Sequence, residues 1–460
     1  MTQKPTSSSN RISPFRMLAA ANLITLLLLP THTQAQQLPP MLYQLLLSDE
    51  STSPNDSTRF GALPLNSSAR PTRDWINAFN SATPIPLNEP LQDAIDSCSG
   101  MLPCVILIDQ LNLSETIYIN KSSVKLLGKA GNKITYNGTD SIFLIESNTS
   151  NIILEGLEID GRINNIPAER NPDIYAINLY GNNISQILIK DNYIHHLDGK
   201  QNAHGIAALG TGATEQSAIS NLIIESNRLE DLRTGSSESI VVNGNVSHWE
   251  IIDNDVSRVN NIAIDAIGGE GTSPTQTVNG RIVPGELDVA RFGFIENNRI
   301  TSMSTLDNPA YGSKHSYAAG IYLDGAQNVL VTNNTVSDTP WAIEVGAENC
   351  VETANISVIN NQTSESRFGD LLIGGYAIGG FVDNLSINCD PNTSEDSDEG
   401  HGYVRYTTVK ANNFDSSDTL EDTIELSNRI RNTIIIAPNI NPINTDGIAT
   451  GDQNSIRVSE

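Results

Sequence analysis

The sequence predicts an all-β solenoid, a single parallel β-helix domain with a short capping helix at its N-terminal end. Three observations lead there. Strand-length runs rich in β-branched residues recur through most of the 460 residues, Asn-centred turns separate them, and two intervals between equivalent runs are 22 residues, Ile240 to Ile262 and Ile321 to Ile343. That is the pattern of stacked coils, each unable to bury its apolar face without its neighbours. Composition agrees. Only 17% of residues are charged and 38% are apolar, with Asn, Ser, Thr and Gly making up much of the rest, which suits many turns and few long helices. The length exceeds that of an ordinary domain, but solenoids grow by adding coils.

Residues 1–35 read as a signal peptide. Lys4, Arg11 and Arg16 precede an apolar stretch from Met17 to Leu29, and Thr33-Gln34-Ala35 offers a small-x-small cleavage site. The stretch is shorter than the roughly 20 residues a membrane span needs. A secreted or periplasmic protein, with no membrane attachment after cleavage, is the expectation. Residues 36–89, rich in Pro, Ser, Thr and Asn, read as a linker and irregular extension. Pro86 to Cys98 then carries Leu91, Ala94 and Ile95 at helical spacing. A helix there would cover the open end of a solenoid spanning 90–440, leaving 441–460 as a polar tail.

Cys98, Cys104, Cys350 and Cys389 are the four cysteines. An even number in an exported chain predicts two disulfides, and the sequence-local pairing Cys98–Cys104 with Cys350–Cys389 is preferred among the three pairings. The net charge is −26. Nucleic acid is therefore excluded as a partner, because phosphate binding needs clustered Lys and Arg. A monomer is expected.

Two strand types alternate along the solenoid. The first is exemplified by Ile184–Ile194 and Ile219–Leu229, each an alternating apolar strand followed by an Asn turn and another apolar residue. Asn suits such turns because it tolerates left-handed backbone angles and its amide can bond to the Asn of the next coil. The second type includes Ile177–Gly181, Ile206–Gly210, Ile240–Gly244, Ile262–Asp265, Ile321–Gly325 and Ile343–Gly346. This layout resembles the right-handed, single-stranded parallel β-helix superfamily of pectate lyases, polygalacturonases and related carbohydrate enzymes, over residues 90–440. The resemblance implies a carbohydrate substrate.

Aligning the second strand type by its inward residues matches Ile262 and Ile264 with Ile321 and Leu323, then with Ile343 and Val345. Alternation turns Asp265, Tyr322, Asp324 and Glu344 outward. In this register Asp265 stacks on Asp324, and Glu344 lies one coil further on. Glu348, beyond Gly346, is expected to face a loop. Insertions at 267–290 and 303–318 flank the face and bring Arg291, Lys314, Tyr311 and Tyr317 to bind substrate, with Tyr311, Tyr317 and the outward Tyr322 as stacking platforms for sugar rings. Gly320-Ile-Tyr-Leu-Asp324, followed by Ile343-Glu344-Val345, is similar to the nucleophile and acid/base strands of β-helix xylosidases. The acids thus point to glycoside cleavage by Asp324 and Glu344 with Asp265 in support. The alternative is a calcium ion between Asp265 and Asp324, serving a polysaccharide lyase or epimerase with Arg291 or Lys314 as base. A carbohydrate-binding surface solenoid or adhesin is the non-enzymatic alternative. The hydrolase needs no cofactor.

Overall fold

A computed structural model describes residues 59–162, 165–278, 281–349, 351–375, 381–382, 385–386, 402–415, 423–437, 443–445 and 456–459. The signal-peptide segment, Cys350 and Cys389 lie outside the described residues. Coils stack into three ladders of parallel strands. Ladder one contains Ile184–Lys190, Ile219–Glu225, Val246–Ile252, Ala290–Glu296 and Gln327–Thr332 in successive coils. Ladder two contains Glu158–Asp160, Tyr193–Asp198, Arg228–Arg233 and Asp255–Val259. Ladders one and two join as one 22-stranded sheet, and ladder three is a separate sheet of 11 strands that includes Ile240–Gly244, Ile264–Ile267, Ala319–Asp324 and Trp341–Ala347. One continuous apolar core runs up the inside and includes Ile264, Ile321, Leu323, Ile343 and Val345.

The turn between ladders one and two divides the two uses of Asn between adjacent residues. The first, such as Asp191, Ser226, Asp253, Asn297 or Asn333, takes a left-handed φ of 54–57°. From the coil of Asn192 to that of Asn412 the second is Asn and points inward, while Leu157 holds that place in the coil before. Asn192, Asn227, Asn254, Asn298, Asn334 and Asn361 form a buried column, each Nδ2 donating to the Oδ1 of the next at 2.9–3.0 Å, with Asn412 completing it. Each amide also donates to a main-chain carbonyl of ladder one, as Asn298 does to Ile251 at 2.8 Å. A polar row therefore runs through an apolar wall without unpaired groups.

The capping helix spans Leu91–Ser97, starting after Pro90, with Leu91 and Ile95 buried against the first coil. Its Gln92 amide accepts from the Tyr118 N–H at 2.8 Å and donates to the Tyr118 carbonyl at 3.1 Å. A side chain thereby replaces the missing strand at the edge of ladder three. The disulfide Cys98–Cys104 ties this helix to the first strand of ladder one.

Residues 59–86 run lengthwise over the outside of ladder one. Gly61 N–H donates to the Asn432 carbonyl, Arg70 binds Glu250 and Glu296, and Arg73 binds Glu225 and Glu250. Phe79, with Trp75 and Ile76, covers Val105, Ile153, Leu188 and Ile223, and Ile85–Pro86 pairs with Ile106–Leu107. At the other end, Ile456–Ser459 pairs with Thr433–Ile436, so part of the 441–460 segment completes ladder one.

Candidate active site

Ladder three sets the register of the outward acids, and it differs from the alignment by inward Ile residues. Ile264, not Ile262, pairs with Ile240 and Ile321. The coil interval from Ile240 is therefore 24 residues rather than 22. The cause is a bend where each coil enters ladder three. Two consecutive residues face the core there, and the first is small in Ala176-Ile177, Ala263-Ile264 and Ala342-Ile343. Gly320 holds the same place before Ile321, and a Cβ there would press on Val336 and the Ala342 carbonyl. Ile262, ahead of the bend, is turned outward beside Tyr322 and Trp341.

Asp265 consequently pairs with Tyr322, and Tyr322 with Glu344. The expected stacking of Asp265 on Asp324 is corrected: Asp324 sits two residues further along its strand, opposite Gly346. One outward column reads Val241, Asp265, Tyr322, Glu344, Leu372, Glu425. Asp324 lies beside it, diagonal to both acids.

Asp265 is almost wholly buried, and its Oδ1 has no hydrogen-bond partner. Burial, with repulsion from Glu238, Asp324, Glu270 and Glu344, pushes its carboxyl well above the ordinary carboxylate range. Glu344 remains partly open to solvent. Desolvation by its crowded setting, then repulsion from Glu348, Asp324 and Glu425, raises it likewise. Asp324 is differently provided for. It accepts from the Glu348 N–H at 2.7 Å and from Asn349 Nδ2 at 3.0 Å, the donors that an acceptor-only carboxylate needs. Tyr322 leans over Gly346, where a Cβ would come within 2.7 Å of its hydroxyl oxygen, and donates to Glu348 Oε1 at 3.0 Å. Glu348 is thus part of the cluster rather than a bystander on a loop.

An aromatic row borders the acids. Trp341 is stacked with Phe368 at 6.4 Å between ring centroids, and Phe368 with the exposed Tyr317 at 5.0 Å. Tyr311 instead has its hydroxyl on Asn261 Oδ1 at 3.0 Å. Lys314 lies exposed in the 303–318 insertion, its carbonyl held by Thr305. Arg291 belongs to ladder one, buried, donating to Asn245 Oδ1 and the Val289 carbonyl, with Glu215 as the carboxylate it senses. None of the Arg291 contacts described is with Asp265, Asp324 or Glu344.

Sequence reasoning missed Glu238, Glu270, Trp341 and Phe368. Glu270 is pinned by Asn243 Nδ2 at 2.7 Å, which anchors the 267–290 insertion beside the face. Glu238 lies next to His204, which burial holds down at a pKa of about 4 and which stacks on Tyr175. The Glu238 signal was its place just before Ser239-Ile240, visible once the corner bend is known.

No family model matches the chain. The uncharacterized protein YwoF of Bacillus subtilis is 32% identical over 203 residues, a match spanning 44% of this chain and 40% of that protein. Among solved structures, a family 28 exopolygalacturonase from Yersinia enterocolitica superposes with a TM-score of 0.51 at 11% identity, covering 80% of this chain and 74% of that one. The A-module of mannuronan C-5 epimerase AlgE6 from Azotobacter vinelandii gives 0.45 at 11% identity, over 87% of this chain and 98% of that one. At such identities a likeness shows the fold and nothing more. The chain is a right-handed parallel β-helix of the pectin-lyase-like fold.

Proposed function

We propose that the protein is a secreted carbohydrate-active enzyme, a glycoside hydrolase that binds a poly- or oligosaccharide across ladder three. The observation that carries this reading is the pairing of two unlike carboxyl groups on one outward face. Glu344, its carboxyl raised well above the ordinary range by burial and repulsion and still partly open, is the general acid for the glycosidic oxygen. Asp324, oriented by Glu348 N–H and Asn349, is the partner carboxylate, acting as nucleophile or activating water. Strand spacing and rise separate their Cα atoms by about 8 Å, within the reach of either geometry. Asp265, paired with Tyr322 and raised above the ordinary carboxylate range by burial, lends support beside the pair. Tyr317 and Phe368 supply a flat apolar surface for a sugar ring. Secretion agrees with the leader-like residues 1–35 and with the Cys98–Cys104 disulfide.

The mechanism calls on no cofactor. Calcium at Asp265 and Asp324 belongs to the lyase or epimerase alternative, and it has less support. The two acids are not register partners, and Arg291 is engaged elsewhere. A polysaccharide panel distinguishes the readings. New reducing ends without ultraviolet absorbance from unsaturated uronates are expected. Unsaturated products would replace the hydrolase by a lyase. Binding without either product would leave a carbohydrate-binding solenoid.

A further inference from the structure

Ladder two carries a second group of chemistry-bearing side chains, remote in the coil from the acids of ladder three. Asp160 and His195 are register partners on adjacent coils, so their side chains emerge side by side. His196 follows with a left-handed φ of 55°. That bulge turns a second consecutive residue outward, while Ile194 and Leu197 on either side remain in the core. The two imidazoles then face each other through their Nδ1 atoms, 2.5 Å apart. Asp160 Oδ1 stands 4.0 Å from His196 Nδ1, and one ligand atom from each of the three residues falls within 4.8 Å of the others.

The far side of each ring is as telling. His195 Nε2, buried and without a hydrogen-bond partner, lies 3.5 Å from Glu158 Oε1. His196 Nε2 lies 3.8 Å from Asp231 Oδ2. Imidazoles that converge on one nitrogen with a carboxylate behind the other are arranged as metal-ligating histidines are, the outer carboxylate fixing the tautomer that leaves the inner nitrogen free to bind. We propose that Asp160, His195 and His196 bind a divalent first-row transition ion of the zinc class, through Asp160 Oδ1 and the two Nδ1 atoms. Nitrogen with a single carboxylate selects such ions over calcium, which needs six to eight oxygens. Ligands at about 2.0–2.1 Å from a tetrahedral ion lie about 3.3 Å apart, so the rings open slightly to admit it. Lys133 holds Asp160 Oδ2 at 2.9 Å, and the Arg162 N–H donates to Oδ1 at 2.9 Å, which leaves Oδ1 a further lone pair for the ion. Three protein ligands leave the fourth position to water, on the side where His196 is exposed.

The test uses the full chain, free of any histidine tag and stripped with chelator. Zinc titration by calorimetry should show one saturable site per chain, cobalt should develop the visible absorption of a low-symmetry site, and calcium should bind neither there nor competitively. His196→Gln and Asp160→Asn, both at partly exposed positions, should each weaken zinc by roughly tenfold or more, and Glu158→Gln by roughly tenfold through the outer partner. His248→Gln, in ladder one, should leave binding unchanged. Absence of stoichiometric zinc binding by the wild type overturns the proposal. So does zinc affinity that survives the His196→Gln/Asp160→Asn double change in protein whose circular dichroism is native.

Discussion

Asp265, Tyr322 and Glu344 show how one residue's setting decides its chemistry. Each stands in the same outward column, yet one is a buried acid without a partner at Oδ1, one a phenol bonded to Glu348, and one an acid still reached by solvent. If Glu344 and Asp324 are the catalytic pair, Glu344→Gln and Asp324→Asn should each lower turnover by about 10²-fold or more on an active substrate while the fold is retained, as melting and steady-state rates would show. Loss of an essential acid or base predicts this, and near-normal turnover would remove that residue from the mechanism. Glu348→Gln should also impair turnover, though less, because its carboxylate receives the Tyr322 hydroxyl. Asp265 and Glu344 both titrate higher in the folded chain than in the unfolded one. The folded state therefore binds more protons, and their contribution to stability is full below the ordinary carboxylate range. It is lost as pH rises through the raised folded values. Melting temperature measured against pH should fall over that window, and Asp265→Asn should flatten the fall. A pH-independent difference between Asp265→Asn and the wild type would contradict the assignment.

At the level of elements, the repeat was legible because its physics is local. Short β-branched strands, recurring Asn turns and an amphipathic run around Leu91 all declare themselves within about ten residues. Register is not local in this way. Period-two alternation assigns a face but cannot detect a slip of two residues, and Asn260-Asn261-Ile262-Ala263-Ile264 offers an Ile in either of two registers of the same phase. The deciding feature was the corner where Ala263 and Ile264 both turn inward, and it needs its neighbours in space to be seen. The turn pairs reveal a similar division, since sequence shows an Asn-rich turn but not which residue bends and which enters the column. Replacing a column member should test that division. Asn298→Ala removes donors and acceptors that serve Asn254, Asn334 and Ile251, and should cost about 1–3 kcal/mol in denaturant unfolding. Ala at the preceding Asn297, whose role is its left-handed angle, should cost less. Close packing inside the coils makes a further demand. Trp249 fills the space that a side chain at Gly293 would need. Gly293→Ala should therefore destabilise by about 1–3 kcal/mol through overpacking.

For the whole molecule, the N-terminal segment was the least legible part. Residues 59–86 carry no strand pattern, because their partners are supplied by other coils, from Ile106, 21 positions after Ile85, to Asn432, 371 positions after Gly61. Arg70 and Arg73 meet on Glu250, whose side chain is only 3% exposed while theirs are 35% and 42%. Changing both arginines to Ala would leave that carboxylate without its ion partners. A lone buried charge costs about 3–5 kcal/mol, and the exposure of the arginines should reduce the loss below that range. Urea unfolding of the double variant should show it, and Glu250→Gln in the same background should restore part of the stability. Because the segment bonds at one end to the coil of Asn432 and at the other to the coil of Ile106, it acts as a gauge of solenoid length. Inserting one more coil would add about 4.8 Å between those attachment points and carry the glutamates away from their arginines. Solenoids ordinarily lengthen by duplication at little penalty. In this chain a duplicated coil would have to be matched by a longer N-terminal segment, so the number of coils and the length of that segment can change only together.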